Sequence, residues 1–159
     1  MAESANSRRD FLRVSVLGFG AATLAPTLSA SEASTQKVLF GGYAKASVGS
    51  LKELQAKGEL DFFYPDANSL CKAVFVDGEA KAFSVICTHK GCPTVYDQGT
   101  AVFTCGCHFT KYDAKKNGQM IIGHATGGLP QVRLEIEGDA LYATGVDGLI
   151  FGRIANTIG

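Results

Sequence analysis

The chain has no net charge with which to seek a polyanion. Its 15 lysines and arginines balance 15 aspartates and glutamates. No basic stripe runs along it, so nothing points to nucleic acid. It has no long apolar run: the least polar stretch, residues 14–25, is well short of the ~20 residues a spanning helix needs. It has no internal repeat and no low-complexity segment. Histidine is scarce, with three in 159 residues, and cysteine is limited to five. Yet two of those histidines and four of those cysteines fall between positions 87 and 108.

That concentration carries the chemistry. One segment reads Cys87-Thr88-His89-Lys90-Gly91-Cys92 and a second reads Cys105-Gly106-Cys107-His108-Phe109-Thr110-Lys111-Tyr112-Asp113. Cys87-x-His89 followed by Cys105-x-x-His108 offers two thiolates and two imidazoles, the ligand set of a Rieske 2Fe–2S centre. Cys87 and Cys105 would hold one iron, His89 and His108 the other. Neutral ligands on the second iron leave the cluster less negative and raise its potential above that of an all-cysteine cluster. A tetrahedral zinc site also accepts two cysteines and two histidines. Zinc motifs, however, usually open Cys-x2–4-Cys and close His-x3–5-His, whereas here each loop supplies one Cys and one His.

Cys92 and Cys107 are left over once the ligands are assigned. In an oxidising compartment they would pair and tie the two loops together. Cys71 lies in an apolar run, Leu70-Cys71-Lys72-Ala73-Val74-Phe75-Val76, and reads as a small buried hydrophobe. The outer nitrogens of His89 and His108 can titrate, so the potential should fall as pH rises through the oxidised-state histidine pKa.

The N-terminus speaks to compartment. Ser7-Arg8-Arg9-Asp10-Phe11-Leu12 matches a twin-arginine export signal. The Gly- and Ala-rich stretch 14–25, Pro26 and the small residues at 29–33 complete an n-region, h-region and cleavage zone. We expect a signal over 1–33, cleaved near Ala30 or Ala33 or retained as a tether, and a single domain over 34–159. Export of a folded protein suits a cluster built before export. The expected site is the periplasm.

The mature chain reads as many short strands with glycine turns, hence a small antiparallel β sandwich or barrel with the cluster loops, about 85–113, as a sub-domain. Val38-Leu39-Phe40 and Tyr43-x-Lys45-x-Ser47-Val48 suggest an opening strand. Ser50 as cap, Glu53 completing a capping box and Gly58 as stop predict one short helix. A strand over 60–64 ends at Pro65. Asp77-Gly78 between apolar runs predicts a hairpin whose second arm enters the first cluster loop. Residues 101–104 deliver the second loop. A second hairpin turns at Glu137-Gly138-Asp139, with Val132, Leu134, Ile136, Leu141 and Ala143 alternating inward. The stretch 123–130 is a glycine-rich loop ending in Pro130; its His124 is a spare imidazole, since the ligand set is already full.

With these residues in view the chain resembles Rieske proteins over most of its mature length, and within them the small subunit of arsenite oxidase. The phrases behind the narrower resemblance include 104–114, 116–126, Leu129-Pro130-Gln131-Val132-Arg133-Leu134 and Asp139-Ala140-Leu141-Tyr142-Ala143-Thr144-Gly145. Thr110 and Tyr112 match in position the Ser and Tyr of high-potential Rieske proteins, which implies that their hydroxyls tune the cluster by hydrogen bonds. The proline-containing loop would pack over the cluster. The resemblance also implies partners: a molybdopterin-containing large subunit that oxidises arsenite to arsenate, and a c-type cytochrome or azurin as acceptor. This chain would carry single electrons and convert no substrate.

Three positions depart from the common Rieske pattern: Gly106 where Pro is frequent, Phe109 where Gly is frequent, and Lys90 where respiratory members place an apolar residue that meets quinol. Lys90 and the short h-region speak against a quinol–cytochrome c reductase subunit, and the export signal and extra cysteine pair against a cytosolic Rieske ferredoxin.

Overall fold

A computed structural model of the chain describes residues 42–157. The signal expected over 1–33 and Val38-Leu39-Phe40 lie outside these residues. Among the described residues ten strands and one helix follow one another: β1 Ala46–Ser50, α1 Leu51–Lys57, β2 Glu59–Phe63, β3 Leu70–Val76, β4 Glu79–Ser84, β5 Thr94–Asp97, β6 Val102–Cys105, β7 Lys111–Asp113, β8 Gln119–Ile122, β9 Gln131–Glu137 and β10 Ala140–Asp147. Six strands form one antiparallel sheet in the order β1-β10-β9-β4-β3-β2. The other four form a second in the order β5-β6-β7-β8. No helix among the described residues is long and apolar enough to cross a membrane.

The local signals act where the sequence places them. Ser50 Oγ accepts the Glu53 N–H at 3.0 Å, and Gly58, at φ 79°, donates its N–H to Leu54 O and ends α1. The return half of the capping box gives way to an ion pair: the Glu53 carboxylate takes Lys57 Nζ at 2.8 Å. Asp77 and Gly78 both have positive φ, 53° and 82°, as a two-residue hairpin turn with matching twist requires.

β3 and the end of β4 are sandwiched between two cores, which is why β3 reads as a nearly continuous apolar run. Cys71, Ala73 and Ala82 pack with Leu54, Phe62, Val132 and Leu141 on one side. Val74, Val76, Phe83 and Val85 meet Tyr96, Phe103 and Tyr112 of the four-stranded sheet on the other. The edge-to-face pair Phe83–Phe103, 5.5 Å between centroids, joins the layers and so holds the sheet that bears the second loop. Cys71 is fully buried, and its thiol, pushed up to about 12 by burial, donates to Tyr64 O at 3.2 Å. It is the inert core residue the sequence suggests.

Two expectations are corrected. The opening strand begins at Ala46, so Tyr43 and Lys45 precede it. The inward alternation of the last hairpin holds for Val132, Leu141 and Ala143 but not for Ile136, which is 50% exposed. The arms of this hairpin meet at Glu137 and Ala140, and Ile136 lies at the tip, beyond the core the sheet covers.

The C-terminal segment is tied back by Arg153, whose guanidinium grips Asp66 through two bonds of 2.7 and 3.0 Å. That grip, helped by the Asn68 N–H, holds the Asp66 carboxyl down at about 2. A carboxyl depressed in the folded state stabilises above its unfolded pKa near 4 and loses that contribution as pH falls toward 2. Because the Asp66 carboxylate is exposed and Arg153 only half-buried, Asp66→Asn should cost only about 0.5–1 kcal/mol at neutral pH. The difference from wild type should vanish by pH 2, as read from urea midpoints at several pH values.

Candidate metal centre

β4 runs out through Val85 and Ile86 into the first loop, and β6 ends at Cys105 at the start of the second. The two loops meet at one end of the molecule. Cys87 N–H donates to Cys92 O at 2.8 Å, Gly91 N–H to Cys87 O at 3.0 Å and Cys105 N–H to Thr110 O at 2.8 Å, so each loop is a closed turn. The disulfide Cys92–Cys107 spans them with Cα atoms 6.5 Å apart. Its sulfurs lie within 4.8 Å of Cys105 Sγ but are spent in the S–S bond, which leaves Cys105 as the free thiol.

The expected ligands come together in pairs, thiol with thiol and imidazole with imidazole. Cys87 and Cys105 are both buried with free thiols. The rings of His89 and His108 stand edge to face, 4.6 Å between centroids. His89 Nδ1 is buried and has no hydrogen-bond partner. A buried lone pair left empty in an otherwise satisfied loop is what a metal would fill.

The surroundings favour anionic sulfur at Cys87 more than at Cys105. Backbone N–H groups of His89 and Lys90 point at Cys87 Sγ, and those of Cys107 and His108 at Cys105 Sγ. Burial pushes both thiols up. For Cys87 the Tyr112 hydroxyl and the amides overcome that and lower it, whereas Cys105 stays raised by burial beside Cys87. A 2Fe–2S cluster fits this donor set: Cys87 and Cys105 would hold one iron, and His89 and His108 the other. Bound there, it supplies a one-electron reservoir. Burial and then its bond to Cys87 push the Tyr112 hydroxyl up to about 12, so it keeps its proton and donates it.

Tyr112 sits at 3.1 Å from Cys87 Sγ. Such a bond strengthens as sulfur gains charge, by about 1 kcal/mol, or roughly 40 mV for a one-electron couple. Tyr112→Phe is therefore expected to lower the midpoint potential by tens of millivolts with the spectrum retained; protein-film voltammetry that matches wild type would remove the tuning role. Thr110, fully buried, accepts the His124 N–H at 3.2 Å; unlike Tyr112, its hydroxyl makes no hydrogen bond to a ligand sulfur among the described residues.

Sequence reasoning missed Thr88. Its N–H donates to Tyr112 Oη at 3.2 Å, its Oγ1 lies 3.1 Å from the same oxygen, and it donates to Gly127 O at 2.8 Å. It thus orients the tyrosine and pins the proline loop to the first cluster loop. The only available signal was a hydroxyl residue between two ligands. Phe151 was missed as well. Its ring lies against Gly91, where a Cβ would come within 2.6 Å of it, so the C-terminal segment braces the tip of the first loop. His124 is brought beside the ligand pair, 5.7 Å from His89 and 6.5 Å from His108 between centroids.

Known proteins agree with this geometry. The family model described as "Rieske [2Fe-2S] domain" matches residues 45–133. The chain is 35% identical to iodate reductase subunit IdrB of Denitromonas iodatirespirans, over 96% of this chain and 88% of that protein. It is also 35% identical to the subunit of that name from Pseudomonas sp. strain SCT, over 92% and 82%. Among solved structures, the plasma-membrane Rieske protein PetC3 of Synechocystis PCC 6803 superposes with a TM-score of 0.56 at 26% identity, covering 63% of this chain and 99% of that one. The soluble domain of the Rieske protein soxF from Sulfolobus acidocaldarius gives 0.63 at 20% identity, covering 71% and 83%, a likeness of fold. With a family model over more than half of its length, and relatives matched nearly end to end, this chain belongs to the Rieske [2Fe–2S] proteins and carries one such cluster.

Proposed function

We propose that this chain is the electron-transfer subunit of a two-subunit oxidoreductase. It exchanges single electrons between a molybdopterin-containing large subunit and a soluble c-type cytochrome or azurin. The observation that carries this reading is the paired imidazole edge: His108 is exposed and His89 partly so, above two buried thiols. Such an edge suits an electron port. The residues that hold the cluster are Cys87, His89, Cys105 and His108.

The phrases shared with the arsenite oxidase small subunit support arsenite oxidation, with electrons leaving the large subunit through this chain. The relatives named as iodate reductase subunits favour the opposite traffic, with electrons entering through this chain to reduce iodate. The two readings differ in sign and separate in one cuvette. With the purified two-subunit complex, arsenite should bleach the oxidised visible spectrum under the first, and iodate should restore the colour of dithionite-reduced protein under the second. A complex indifferent to both oxyanions would overturn either substrate.

The export reading rests on Arg8 and Arg9. Replacing both by lysine should leave the holoprotein in the cytoplasm. Periplasmic protein in that variant would refute the twin-arginine route.

A further inference from the structure

We propose that the outer face of the four-stranded sheet, centred on Phe109, Ile121 and Ile122, is the surface on which the large catalytic subunit seats. The proposal rests on the reading of this chain as an electron-transfer subunit.

Phe109 follows a ligand histidine, adopts φ 55° and leaves its ring 75% exposed. A bulky aromatic residue in the left-handed region is uncommon, and its ring is left largely uncovered by the described residues. On β8 a bulge does the rest. Lys111 pairs with Ile122 and Tyr112 with Met120, so Ile121 is an extra residue with no partner in the register. Regular alternation would turn one of two successive isoleucines inward; with the bulge both face out, 55% and 62% exposed. Across the sheet the ladder Val95–Thr104–Lys111–Ile122 sets one row on the same face, and Val95 is 74% exposed.

The charge says what should cover it. Lys111 lies in this row and Lys90 in the neighbouring ligand loop, and neither has an acidic partner among the described residues, so both ammonium groups are open to a partner's carboxylates. The fitting partner is an apolar surface rimmed with carboxylates. Several large apolar side chains left in water are the mark of a lasting interface; brief redox encounters use small ones. That selects the permanent partner over the mobile acceptor. β7 leaves the loop that holds His108, so a subunit seated here also lies beside the exposed imidazole.

The test uses the tagged full chain and the molybdopterin subunit that copurifies with it. Phe109→Gly suits the backbone at that position, and with Ile122→Thr it should weaken subunit association by at least about 30-fold in sedimentation. Lys111→Glu should weaken it further, and Ile136→Thr, on the far hairpin, should not. The EPR spectrum of the isolated chain should stay at the wild-type form throughout, and the midpoint potential of the charge-neutral Phe109→Gly, Ile122→Thr variant should match wild type. If the wild-type chain recruits no molybdopterin subunit, the parent reading fails and this one with it. If the wild type recruits it and the double variant binds equally well, only the surface is wrong. If the double variant keeps the subunit but no longer exchanges electrons with a soluble cytochrome, the face belongs to the acceptor and the proposal is overturned.

Discussion

Serine at both Cys92 and Cys107 is expected to cost about 3 kcal/mol, the loop-entropy value for a closed segment of ~15 residues. In a domain of this size that is a fall of roughly 10 °C in Tm. The reason is local. The two loops lie at the ends of separate strand pairs, and the first is closed by only two backbone bonds, Cys87 N–H to Cys92 O and Gly91 N–H to Cys87 O. The disulfide is the covalent link that fixes one ligand loop against the other. The variant should also release iron faster than wild type, since each ligand pair would move with its own loop. Calorimetry of the holoprotein, together with the decay of its visible absorption in mild denaturant, reads both effects. A variant that melts and bleaches like wild type would reduce the bridge to an ornament.

Gly123→Ala is expected to be the more damaging single substitution. A Cβ at that position would lie 2.4 Å from Thr110 Cα and 2.5 Å from Thr110 Oγ1, and the residue has φ 125°. Strained backbone and overpacking each cost about 1–3 kcal/mol. They act here on the residue that braces His124 and borders the second ligand loop. We expect a loss of several kcal/mol and poor cluster incorporation. Gly127→Ala is the matched control: nothing lies within 4 Å of its added Cβ, so its melting temperature and iron content should follow wild type. Equal behaviour of the two variants would contradict the packing described for the proline loop.

Much of the site could be read before the fold was known, because cluster ligation needs particular side chains at short spacings and those lie in two contiguous stretches. The helix and the Asp77-Gly78 hairpin were legible for a similar reason: Ser50, Gly58 and Gly78 act on backbone groups a few residues away. The short strands were harder. β5 has four residues and β7 three, too few for alternation to stand out. The bulge at Ile121 breaks the period of two that would have marked β8. Thr88 binding Gly127, Phe151 bracing Gly91 and Arg153 gripping Asp66 join residues tens of positions apart. No local pattern encodes such contacts; they follow from how the sheets stack. The outward-facing Ile136 is the opposite lesson, since a correct alternation says which side a residue faces but not whether anything covers that side.

One-electron exchange at this site rests on iron that is ligated unequally, by the sulfurs of Cys87 and Cys105 on one side and the imidazoles of His89 and His108 on the other. Pulsed EPR of the reduced protein tests this most directly. Two strongly coupled nitrogens are predicted, with the coupling pattern destroyed by His89→Ala or His108→Ala. A reduced protein whose spectrum carries no nitrogen coupling, or a preparation that holds zinc and no acid-labile sulfide, would contradict it.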